Sequence, residues 1–353
     1  MPEAPLTESV VIALDAMGGD NGPGVVVEGA VRFFDEMPKA VQKGVSVILT
    51  GERDTLARLL SRAGGQKLPI SIQHASQVVG MDEHPSQALR NKPDSSLSVM
   101  AGLQKSGIAH SMVSPGNTGA MMAASVFALG TIPGIQRPAI AGSLPTVNHP
   151  SILLDLGANV DCKPEQLFRF AYMGSVYSRD VFGVANPRVA LLNVGMESTK
   201  GTPTVLEVYR KLSESPLNFV GNLEGDGILK GEADVVVCDG FVGNVLLKFT
   251  ESVTSLVGGA LYLEMKRHWT SRLGYLFMKP SFNHLWTKLD TAEYGGAPLL
   301  GLNGVSIVAH GSSSSHAIRN ALKVGVDFRR AGAVEKIRSS MAELIAKEKA
   351  SEQ

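Results

Sequence analysis

Short runs of β-branched and aliphatic residues recur along the whole chain, and loops rich in glycine and polar residues follow most of them. Most of these runs are continuously apolar, which is typical of strands that are buried on both faces of a mostly parallel sheet. The nine runs are SVVIAL, VSVILT, ISIQ, SMVS, SILLDL, RVALLNV, NFVGN, DVVVC and VSIVA. They constrain the chain to a fold that is built around a large sheet.

Stretches with helical character separate the predicted strands, and this alternation predicts a doubly wound α/β sandwich. The clearest predicted helices are 24–37, 54–63, 164–180 and 203–213. Because no repeat or long linker divides the chain, we expect residues 1–353 to form a single α/β domain. Ligands of an open parallel sheet bind outside the carboxyl ends of its strands. We therefore expect the glycine-rich loops to meet at one edge of the sheet and to form the active site there.

The composition disfavours several classes of function. Lys plus Arg and Asp plus Glu both number 33, and no zinc-finger or basic-helix pattern is present, so nucleic acid is not an expected partner. The N-terminal segment MPEAPLTES has the character of neither a signal peptide nor a transit peptide, which predicts a cytoplasmic protein. The longest uncharged segment contains only a short apolar run, too short to cross a bilayer. Cys162 and Cys238 lack metal-ligand spacing and are expected to be buried, reduced thiols.

Residues 251–290 are the exception to the α/β alternation and predict a projecting helical arm within the domain. The first part of the arm carries an apolar stripe at helical spacing, which favours a dimer interface. The stripe comprises Val253, Leu256, Val257, Ala260 and Leu261. From 265 to 289 there is no acidic residue, and basic residues are interleaved with aromatic ones, which suits an anionic membrane surface. A hairpin that packs its apolar residues in a dimer interface explains this tip equally well.

Three loops after predicted strands are suited to binding an anion. In SPGNTGA, Asn117 and Thr118 lie at the start of a helix, where free N–H groups and the helix dipole favour a phosphate or an oxyanion. In NVGMESTKG, Lys200 can direct a positive charge toward phosphate. In AHGSSSS, His310 can donate to an oxyanion or act as an acid or base. Helix capping, solvation and ordinary hydrogen bonding are the structural alternatives.

Two further segments carry charge at positions that suit function. In CDGFVGN, Asp239 and Asn244 lie around two glycines after a strand, where an acid serves as a base, as a ligand holder or as a helix cap. Arg90 and Lys92 lie beside acids and serines, which suits an anion clamp or a docking face for an acidic partner, unless the charges are merely solvated. The sequence contains no P-loop, no standard Rossmann fingerprint, no zincin motif and no hydrolase nucleophile elbow.

Seven ordered loop motifs together resemble the bacterial phosphate acyltransferase (PlsX) family, which transfers a fatty acyl group from acyl carrier protein to inorganic phosphate. The motifs are ALDAMGGDNGP, PSQALRNKPDSS, SPGNTGA, DLGANVDC, ALLNVGMESTKG, CDGFVGNVLLK and YGGAPLLGLNG followed by HGSSSS. The resemblance implies a three-layer α/β/α sandwich related to phosphotransacetylases and the isocitrate dehydrogenase group. It also implies a homodimer and a peripheral membrane association through the arm. Met196, Ser314 and Pro115 depart from the family pattern.

The residue patterns and the resemblance together give a candidate site. The catalytic candidates are His310, Asn117, Asp239 and Asn244. The substrate-binding candidates are Asp15, Gly18, Gly19, Asp20, Ser114, Thr118, Gly119, Asn159, Lys200, Gly240, Gly243, Gly311, Ser312 and Ser313. The candidates for docking the carrier protein by charge are Arg90 and Lys92. Because a carboxylate has the wrong sign to cradle phosphate, we expect Asp15 and Asp20 to orient loop N–H groups or cationic side chains.

Acyl transfer from a thioester to phosphate depends mainly on positioning and charge stabilisation, because phosphate is already an oxyanion nucleophile and a thiolate leaves readily. We expect the helix N-termini after SPGNT and AHGSS, aided by Lys200, to hold phosphate. Backbone N–H groups, Asn117 or His310 would stabilise the tetrahedral oxyanion. The candidates for an acyl-chain wall, with core packing as the alternative, are Met121, Met122, Val126 and Phe127.

This interpretation implies acyl carrier protein, inorganic phosphate and a second copy of the chain as partners, and it requires no metal or other cofactor. An anionic membrane surface at the inner face of the cell membrane is a further expected partner, as is the next acyltransferase of phospholipid synthesis. Two other enzymes stay open, a nicotinamide-dependent dehydrogenase on the related fold and a phosphotransacetylase that uses CoA thioesters. A non-catalytic scaffold that binds membranes through the arm is the alternative from another class.

Overall fold

The computed structural model describes residues 9–147, 149–289 and 295–351. Within these ranges the chain has a mixed α/β fold with one sheet of 11 strands. The strands are β1 Val10–Asp15, β2 Val45–Gly51, β3 Ile70–His74, β4 Ser111–Ser114, β5 Ala139–Leu144, β6 Ser151–Leu154, β7 Val189–Leu192, β8 Phe219–Leu223, β9 Val235–Val237, β10 Ala297–Leu300 and β11 Val305–Val308. Their order across the sheet is β3-β2-β1-β4-β11-β10-β5-β6-β9-β7-β8.

The helices of the described residues connect these strands and cover the sheet. They are α1 Gly22–Glu36, α2 Lys39–Gln42, α3 Arg53–Arg62, α4 Pro85–Asn91, α5 Ser96–Lys105, α6 Thr118–Leu129, α7 Pro164–Val181, α8 Pro203–Ser213, α9 Gly225–Lys230, α10 Gly240–Arg267, α11 Trp269–Leu289, α12 Ser315–Arg330 and α13 Ala333–Ser351. A short 3-10 helix spans Gly65–Lys67. The four predicted helices correspond to α1, α3, α7 and α8, and each of the nine predicted strands is present.

Both faces of the sheet are buried, as the continuously apolar runs predict. Ile12 and Leu14 of β1 pack in a core on one face, whereas Ala13 between them packs in a second core on the other face. Phe170 of α7 belongs to the first core and Met121 of α6 to the second. Because successive residues of a strand point to opposite faces, the sheet is the middle layer between two layers of helices.

Two strands that the sequence did not predict reverse the direction of the sheet. β10 is antiparallel to β11 and to β5, and β5 is antiparallel to β6. As a result β1, β4 and β11 run in one direction, whereas β6, β7 and β9 run in the other. The prediction that all glycine-rich loops lie at one edge is therefore wrong. The loops after β1, β4 and β11 lie at one edge of the sheet, and those after β6, β7 and β9 lie at the opposite edge.

Sheet twist moderates this reversal. Neighbouring strands are rotated by about 20–25°, so the five pairings from β4 to β9 accumulate a rotation of roughly 100–125°. Two strands that are formally opposed then have carboxyl ends that point about 55–80° apart. Five strand spacings also separate them by about 24 Å across the sheet. This twist narrows the angle between the two opposed edges, and the two sets of loops still lie far apart along the sheet.

The residues of the predicted arm lie in two helices, α10 and α11. α10 has 28 residues and is about 42 Å long, and α11 returns with Pro280 inside the helix. α10 begins at Gly240, before the predicted range of 251–290, because it starts directly after the loop that follows β9. The last residue of that range, Asp290, lies outside the described residues. In the described part of the chain, no helix is long and apolar enough to span a bilayer.

Candidate functional site

The first group of candidate residues lies at the carboxyl ends of β1, β4 and β11, and we call it cluster 1. Its members are Asp15, Gly18, Gly19, Asp20, Ser114, Asn117, Thr118, Gly119, His310, Gly311, Ser312 and Ser313. Backbone and side-chain hydrogen bonds join the first and last of its loops. The N–H of Asp20 donates to the carbonyl of Gly311 at 2.8 Å, and Asn21 Nδ2 donates to the carbonyls of Ser312 and Ser313 at 3.0 and 3.1 Å. Loops that are distant in sequence therefore form one surface.

Asp15 organises the centre of cluster 1. Its Oδ1 accepts hydrogen bonds from the N–H groups of Met17 and Gly18, both at 3.2 Å, and its Oδ2 accepts one from Ser114 Oγ at 2.8 Å. Ser114 Oγ in turn accepts from the N–H of Gly116 at 3.0 Å. The prediction that Asp15 orients loop N–H groups is confirmed. Ser114 is fully buried, and the hydrogen bond from its hydroxyl to Asp15 connects the end of β4 to the end of β1.

Both ends of the Asn117 side chain are engaged. Its Oδ1 caps α6 by accepting from the N–H of Ala120 at 3.0 Å. Its Nδ2 donates to the carbonyls of Met81 and Glu83 at 2.7 and 3.2 Å, which fixes the 78–84 segment beside the start of α6. The role of Asn117 as an oxyanion donor stays a prediction. It requires Nδ2 to exchange these carbonyls for the substrate.

His310 is exposed at the carboxyl end of β11, and its hydrogen bonds define the position of its ring proton. The N–H of Ser312 donates to His310 Nδ1 at 3.2 Å, and Ser312 Oγ lies 2.8 Å from the same atom. A backbone N–H can only donate, so Nδ1 accepts and the neutral ring carries its proton on Nε2. Cluster 1 therefore contains an imidazole Nε2–H donor at a strand end.

The two candidates for carrier docking differ in their surroundings. Lys92 Nζ donates to the carbonyl of Val78 at 2.8 Å and forms an ion pair with Glu83. The Lys92 ammonium, followed by the N–H of Gly80, lowers the pKa of the Glu83 carboxyl. Arg90 is exposed and has no hydrogen bond or ion pair among the described residues. Arg90 is thus the candidate whose charge is available to a partner.

The remaining strand-end candidates lie after β6, β7 and β9, and we call this group cluster 2. Its members are Asn159, Lys200, Asp239, Gly240, Gly243 and Asn244. Asp155, which belongs to the motif DLGANVDC but not to the candidate residues given above, lies fully buried at its centre. The Asp155 carboxylate accepts from the N–H groups of Ile140, Ala158 and Asn159 and from Asn159 Nδ2, at 2.6–3.2 Å. Burial raises the pKa of the Asp155 carboxyl despite these donors.

The first turn of α10 packs directly against the loop that follows β6. The N–H of Gly240 donates to the carbonyl of Asn159 at 2.7 Å. A Cβ at Gly243 would lie 1.9 Å from the carbonyl oxygen of Asp155, so only glycine fits there. Asp239 caps α10 by accepting from the N–H of Val242 at 2.8 Å, which confirms the capping alternative for this residue.

Clusters 1 and 2 share one structural plan. Each has a buried strand-end aspartate, Asp15 or Asp155, and a glycine just after the neighbouring parallel strand, Gly116 or Gly240. A Cβ at Gly116 would lie 3.2 Å from Asp15 Oδ2, and one at Gly240 would lie 2.9 Å from Asp155 Oδ2. The same close approach of a loop to a carboxylate therefore occurs once in each half of the sheet.

Comparison with known proteins identifies the family. A family model described as "Fatty acid synthesis protein" matches residues 10–336. The chain is 51% identical over 314 residues to a phosphate acyltransferase of Heliobacterium modesticaldum, which covers 89% of this chain and 92% of that protein. It is 46% identical over 335 residues to a phosphate acyltransferase of Desulfitobacterium hafniense, which covers 94% and 97%. The chain belongs to the phosphate acyltransferase family. Its membership makes it an enzyme of the acyltransferase class.

Solved structures that resemble this family member share its fold at low sequence identity. A phosphotransacetylase from Streptococcus pyogenes superposes with a TM-score of 0.62 at 18% identity and covers 93% of this chain and 95% of its own. A 4-hydroxythreonine-4-phosphate dehydrogenase from Burkholderia phymatum superposes with a TM-score of 0.50 at 14% identity and covers 91% and 98%. These likenesses concern the fold alone. They confirm the predicted three-layer α/β/α class.

Two candidate groups of this acyltransferase occupy positions that differ from expectation. Lys200 lies in the exposed loop after β7, where its carbonyl accepts from Asn193 Nδ2 at 2.9 Å. Six strand spacings, or about 29 Å, separate β7 from β4 across the sheet. Lys200 would have to act over that distance to help the SPGNT loop hold phosphate. Of the candidates for the acyl-chain wall, Met121 is buried in the second core, whereas Phe127 is exposed with Lys105 Nζ 5.5 Å from its ring centroid.

The two cysteines of the acyltransferase are expected to resist alkylation in the folded state. Burial first, and then nearby carboxylates, raise the pKa of the Cys162 thiol to about 12 and that of Cys238 well above its usual value. The thiolate is the reactive form, and its fraction at pH near 8 is small when the pKa is raised in this way. Mass spectrometry should show neither thiol modified by iodoacetamide in buffer and both modified in urea. Rapid labelling of the folded protein would contradict the buried placement.

Proposed function

We propose that the chain transfers a fatty acyl group from the thioester of acyl carrier protein to inorganic phosphate, giving acyl phosphate for phospholipid synthesis. The names of the relatives support an acyl transfer that involves phosphate, and the family description supports a role in fatty acid metabolism. The observation that carries the proposal is the arrangement of cluster 1. There the Nε2–H of His310 lies on the strand-end surface from which the helices α6 and α12 begin.

The proposed reaction needs little proton transfer. A phosphate oxygen attacks the thioester carbonyl, the carbon–oxygen bond forms, the carbon–sulfur bond breaks, and the thiolate leaves and takes a proton from solvent. His310 Nε2–H donates to the oxyanion of the tetrahedral intermediate, and N–H groups at the start of α6 and α12 hold the phosphate. Asp15 keeps the loop N–H groups in position and does not contact the anion. No covalent acyl-enzyme is required.

We place the carrier protein beside cluster 1. Arg90 is exposed on α4 and has no partner among the described residues, so it can attract an acidic carrier. Lys92 already pairs with Glu83 and contributes by fixing the 78–84 segment. The carrier's thioester arm would then reach the end of β4 from the side of α4.

Trapping of the product tests the proposed function. Purified protein is incubated with long-chain acyl carrier protein and phosphate, and hydroxylamine converts acyl phosphate to a hydroxamate. Phosphate-dependent hydroxamate is expected with the carrier thioester, and its absence would end the proposal. Faster formation from the matching CoA thioester would favour the phosphotransacetylase alternative. Saturable binding of NAD or NADP in a fluorescence titration is not expected, and it would support the dehydrogenase alternative.

We also propose that the arm joins two copies of the chain and attaches them peripherally to the inner face of the cell membrane. Leu256 and Val257 of the predicted stripe are exposed in the single chain, which is typical of an unpartnered interface. In α11, Leu276 and Phe277 are exposed, and Lys279 and Lys288 carry positive charge nearby in sequence. This combination suits anionic lipid, and it would place the enzyme where the next acyltransferase of the pathway acts.

Serine replacements at Leu276 and Phe277 are expected to release the protein from anionic vesicles. Both side chains lose the apolar surface that would enter the interface, and because they are exposed the fold should be retained. Co-sedimentation with vesicles measures binding, and turnover in solution should be unchanged. Ile108→Ser, which alters an exposed apolar residue outside the arm, is the matched control. Equal vesicle binding of the double variant and the control would exclude lipid contact by this surface.

A further inference from the structure

The solvent side of α6 carries no polar side chain past its first turn, and we call this surface the α6 face. The residues after Gly119 that are exposed or half-buried are all apolar, namely Met122, Ala123, Val126, Phe127, Ala128 and Leu129. Phe127 is 85% exposed. A surface helix normally turns polar side chains to solvent, whereas a helix that is apolar all round is covered. We therefore expect the α6 face to be covered when the protein acts.

α8 shows the ordinary pattern in a helix of similar length, since it has 11 residues and α6 has 12. Each helix packs one face in a core. The solvent side of α8, however, carries Glu207, Arg210 and Ser213. A surface position in this fold therefore does not require the apolar residues of α6.

The α6 face starts at cluster 1. Asn117 caps α6, and its Nδ2 donates to the carbonyl of Met81 at 2.7 Å. The Met81 side chain reaches the loop of His310, because a Cβ at Gly311 would lie 2.8 Å from Met81 Cε. Met81 is 40% exposed. One apolar side chain therefore spans from the loop of His310 to the start of α6.

α4 covers the first turn of α6 and leaves later turns open. A Cβ at Gly119 would lie 2.7 Å from Pro85 Cγ, so the start of α4 packs directly against the start of α6. Val126 and Phe127, about two turns further along, are exposed. The start of α6 is thus held in place, while the face beyond it is accessible to a ligand.

The length of the α6 face fits a fatty acyl chain. Phe127 lies about 15 Å from Asn117 along the helix, which is the extended length of about 12 carbons. Lys105 Nζ lies 5.5 Å from the centroid of the Phe127 ring. Because an ammonium group is costly to cover with hydrocarbon, Lys105 marks the far end of the apolar surface.

Charge and position favour this occupant over a lipid surface or a second copy of the chain. No Lys, Arg, Asp or Glu occurs from 106 to 136, so α6 lacks the basic residues that attract anionic lipid. The dimer contact proposed above uses the stripe of α10. A hydrocarbon chain that is attached to a thioester at cluster 1 needs no charge on α6 and begins where the α6 face begins.

We propose that the fatty acyl chain lies along the α6 face while its thioester carbonyl reacts beside His310. Its first carbons then contact Met81, and its distal carbons contact Val126 and Phe127. This inference rests on the proposed function and deepens it, because it makes Val126 and Phe127 determinants of chain-length selectivity. A lauroyl chain covers the whole face, whereas a butyryl group ends beside Met81.

The double variant Val126→Ser/Phe127→Ser tests the assignment. Its kcat/KM for a lauroyl carrier thioester is expected to fall about tenfold or more, because two apolar contacts are lost. Its kcat/KM for a butyryl carrier thioester and its KM for phosphate should be unchanged. Val220→Ser, at a residue that is 44% exposed on the edge strand β8, is the matched control and should alter none of these values. Equal effects of the double variant on both thioesters, or no effect on either, would overturn the assignment.

A photoreactive substrate locates the chain without turnover. A carrier thioester with a diazirine at the distal end of its lauroyl chain is irradiated with the protein in the absence of phosphate. Mass spectrometry should find the label on the α6 peptide that contains Val126 and Phe127, and excess lauroyl carrier thioester should reduce it. Labelling of α10 or α11 instead would place the chain elsewhere and overturn the assignment.

The remaining outcomes are also decisive. Light scattering should give the double variant the mass of the wild-type protein, and a lower mass would assign the α6 face to a second copy of the chain. If the double variant does not fold, Phe127→Ser alone replaces it, because this side chain is the more exposed of the two. Failure of the proposed function is distinguishable, because the wild-type protein would then make no hydroxamate from either thioester.

Discussion

Replacement of His310 with alanine is expected to lower kcat for acyl phosphate formation about a hundred- to a thousandfold, which is the usual effect of removing one oxyanion donor. The backbone N–H of Ser312 holds Nδ1 as an acceptor, so the donor that is lost is Nε2–H. KM for the thioester should change little, because this bond strengthens only as charge develops on the oxygen. Steady-state kinetics with carrier thioester and phosphate measures both constants.

Two further variants separate the donor role from a packing role. His310→Gln keeps an N–H donor at a similar distance from the backbone and should recover part of the lost rate. Ser312→Ala removes the hydroxyl near Nδ1 but keeps the N–H that defines the proton position, so its effect should be small. A His310→Ala variant that retains wild-type kcat would remove His310 from the mechanism.

Replacement of Gly243 with alanine is expected to destabilise the protein by about 3 kcal/mol. The new Cβ would lie 1.9 Å from the carbonyl oxygen of Asp155 and 3.1 Å from Cys238 Sγ. The oxygen is backbone and the sulfur is buried, so the first turn of α10 must move away from β6. The thermal midpoint should fall by about 4 °C.

Gly102→Ala, in the interior of α5 and outside the arm, is the matched control. Nothing lies within 4 Å of a Cβ at this position, so alanine gains helix propensity at no steric cost. It should raise stability by roughly 0.5–1 kcal/mol. If both glycine variants gave the same thermal midpoint, the close packing of α10 on the loop after β6 would be wrong.

The predicted strands and helices follow from strong local signals. The run VSVILT corresponds to β2, and Pro203–Ser213 was predicted with the bounds of α8, which Thr202 caps through the N–H of Val205. A strand with a continuous apolar run is stable only when both of its faces are covered, so such runs predict a sheet with helices on both sides. The doubly wound α/β class therefore follows from the sequence pattern, and the resemblance to the family adds the three-layer architecture.

The reversal of strand direction within the sheet could not be predicted, because the two strands that cause it have weak sequence signals. β5 contains Gly142 and β10 contains Pro298, and both residue types are unfavourable within strands. β10 pairs with the next strand along the chain, β11, and β5 pairs with β6, but the two strands also pair with each other, and that contact joins segments far apart in sequence. Missing them led to the expectation of one edge, whereas the structure forms two loop clusters.

The candidate site shows the same division between local and distant causes. The orienting role of Asp15 followed from its charge and its place after a strand. The engagement of Asn117 by the carbonyls of the 78–84 segment could not be predicted, because it depends on how that segment packs on α6. The sequence does point to Asp155, because the motif DLGANVD repeats the strand-end aspartate and the glycine of DAMGGDN. The buried role of that aspartate appears only when the two loops are compared in space.

Phosphorus NMR of the reaction tests the central claim most directly. Inorganic phosphate is mixed with the wild-type protein and a long-chain acyl carrier thioester, and the spectrum is followed over time. An acyl phosphate resonance should grow as the phosphate resonance declines, and its growth should slow about a hundredfold or more in His310→Ala. If the thioester is consumed without a new phosphorus resonance, phosphate is not the acyl acceptor and the account is contradicted.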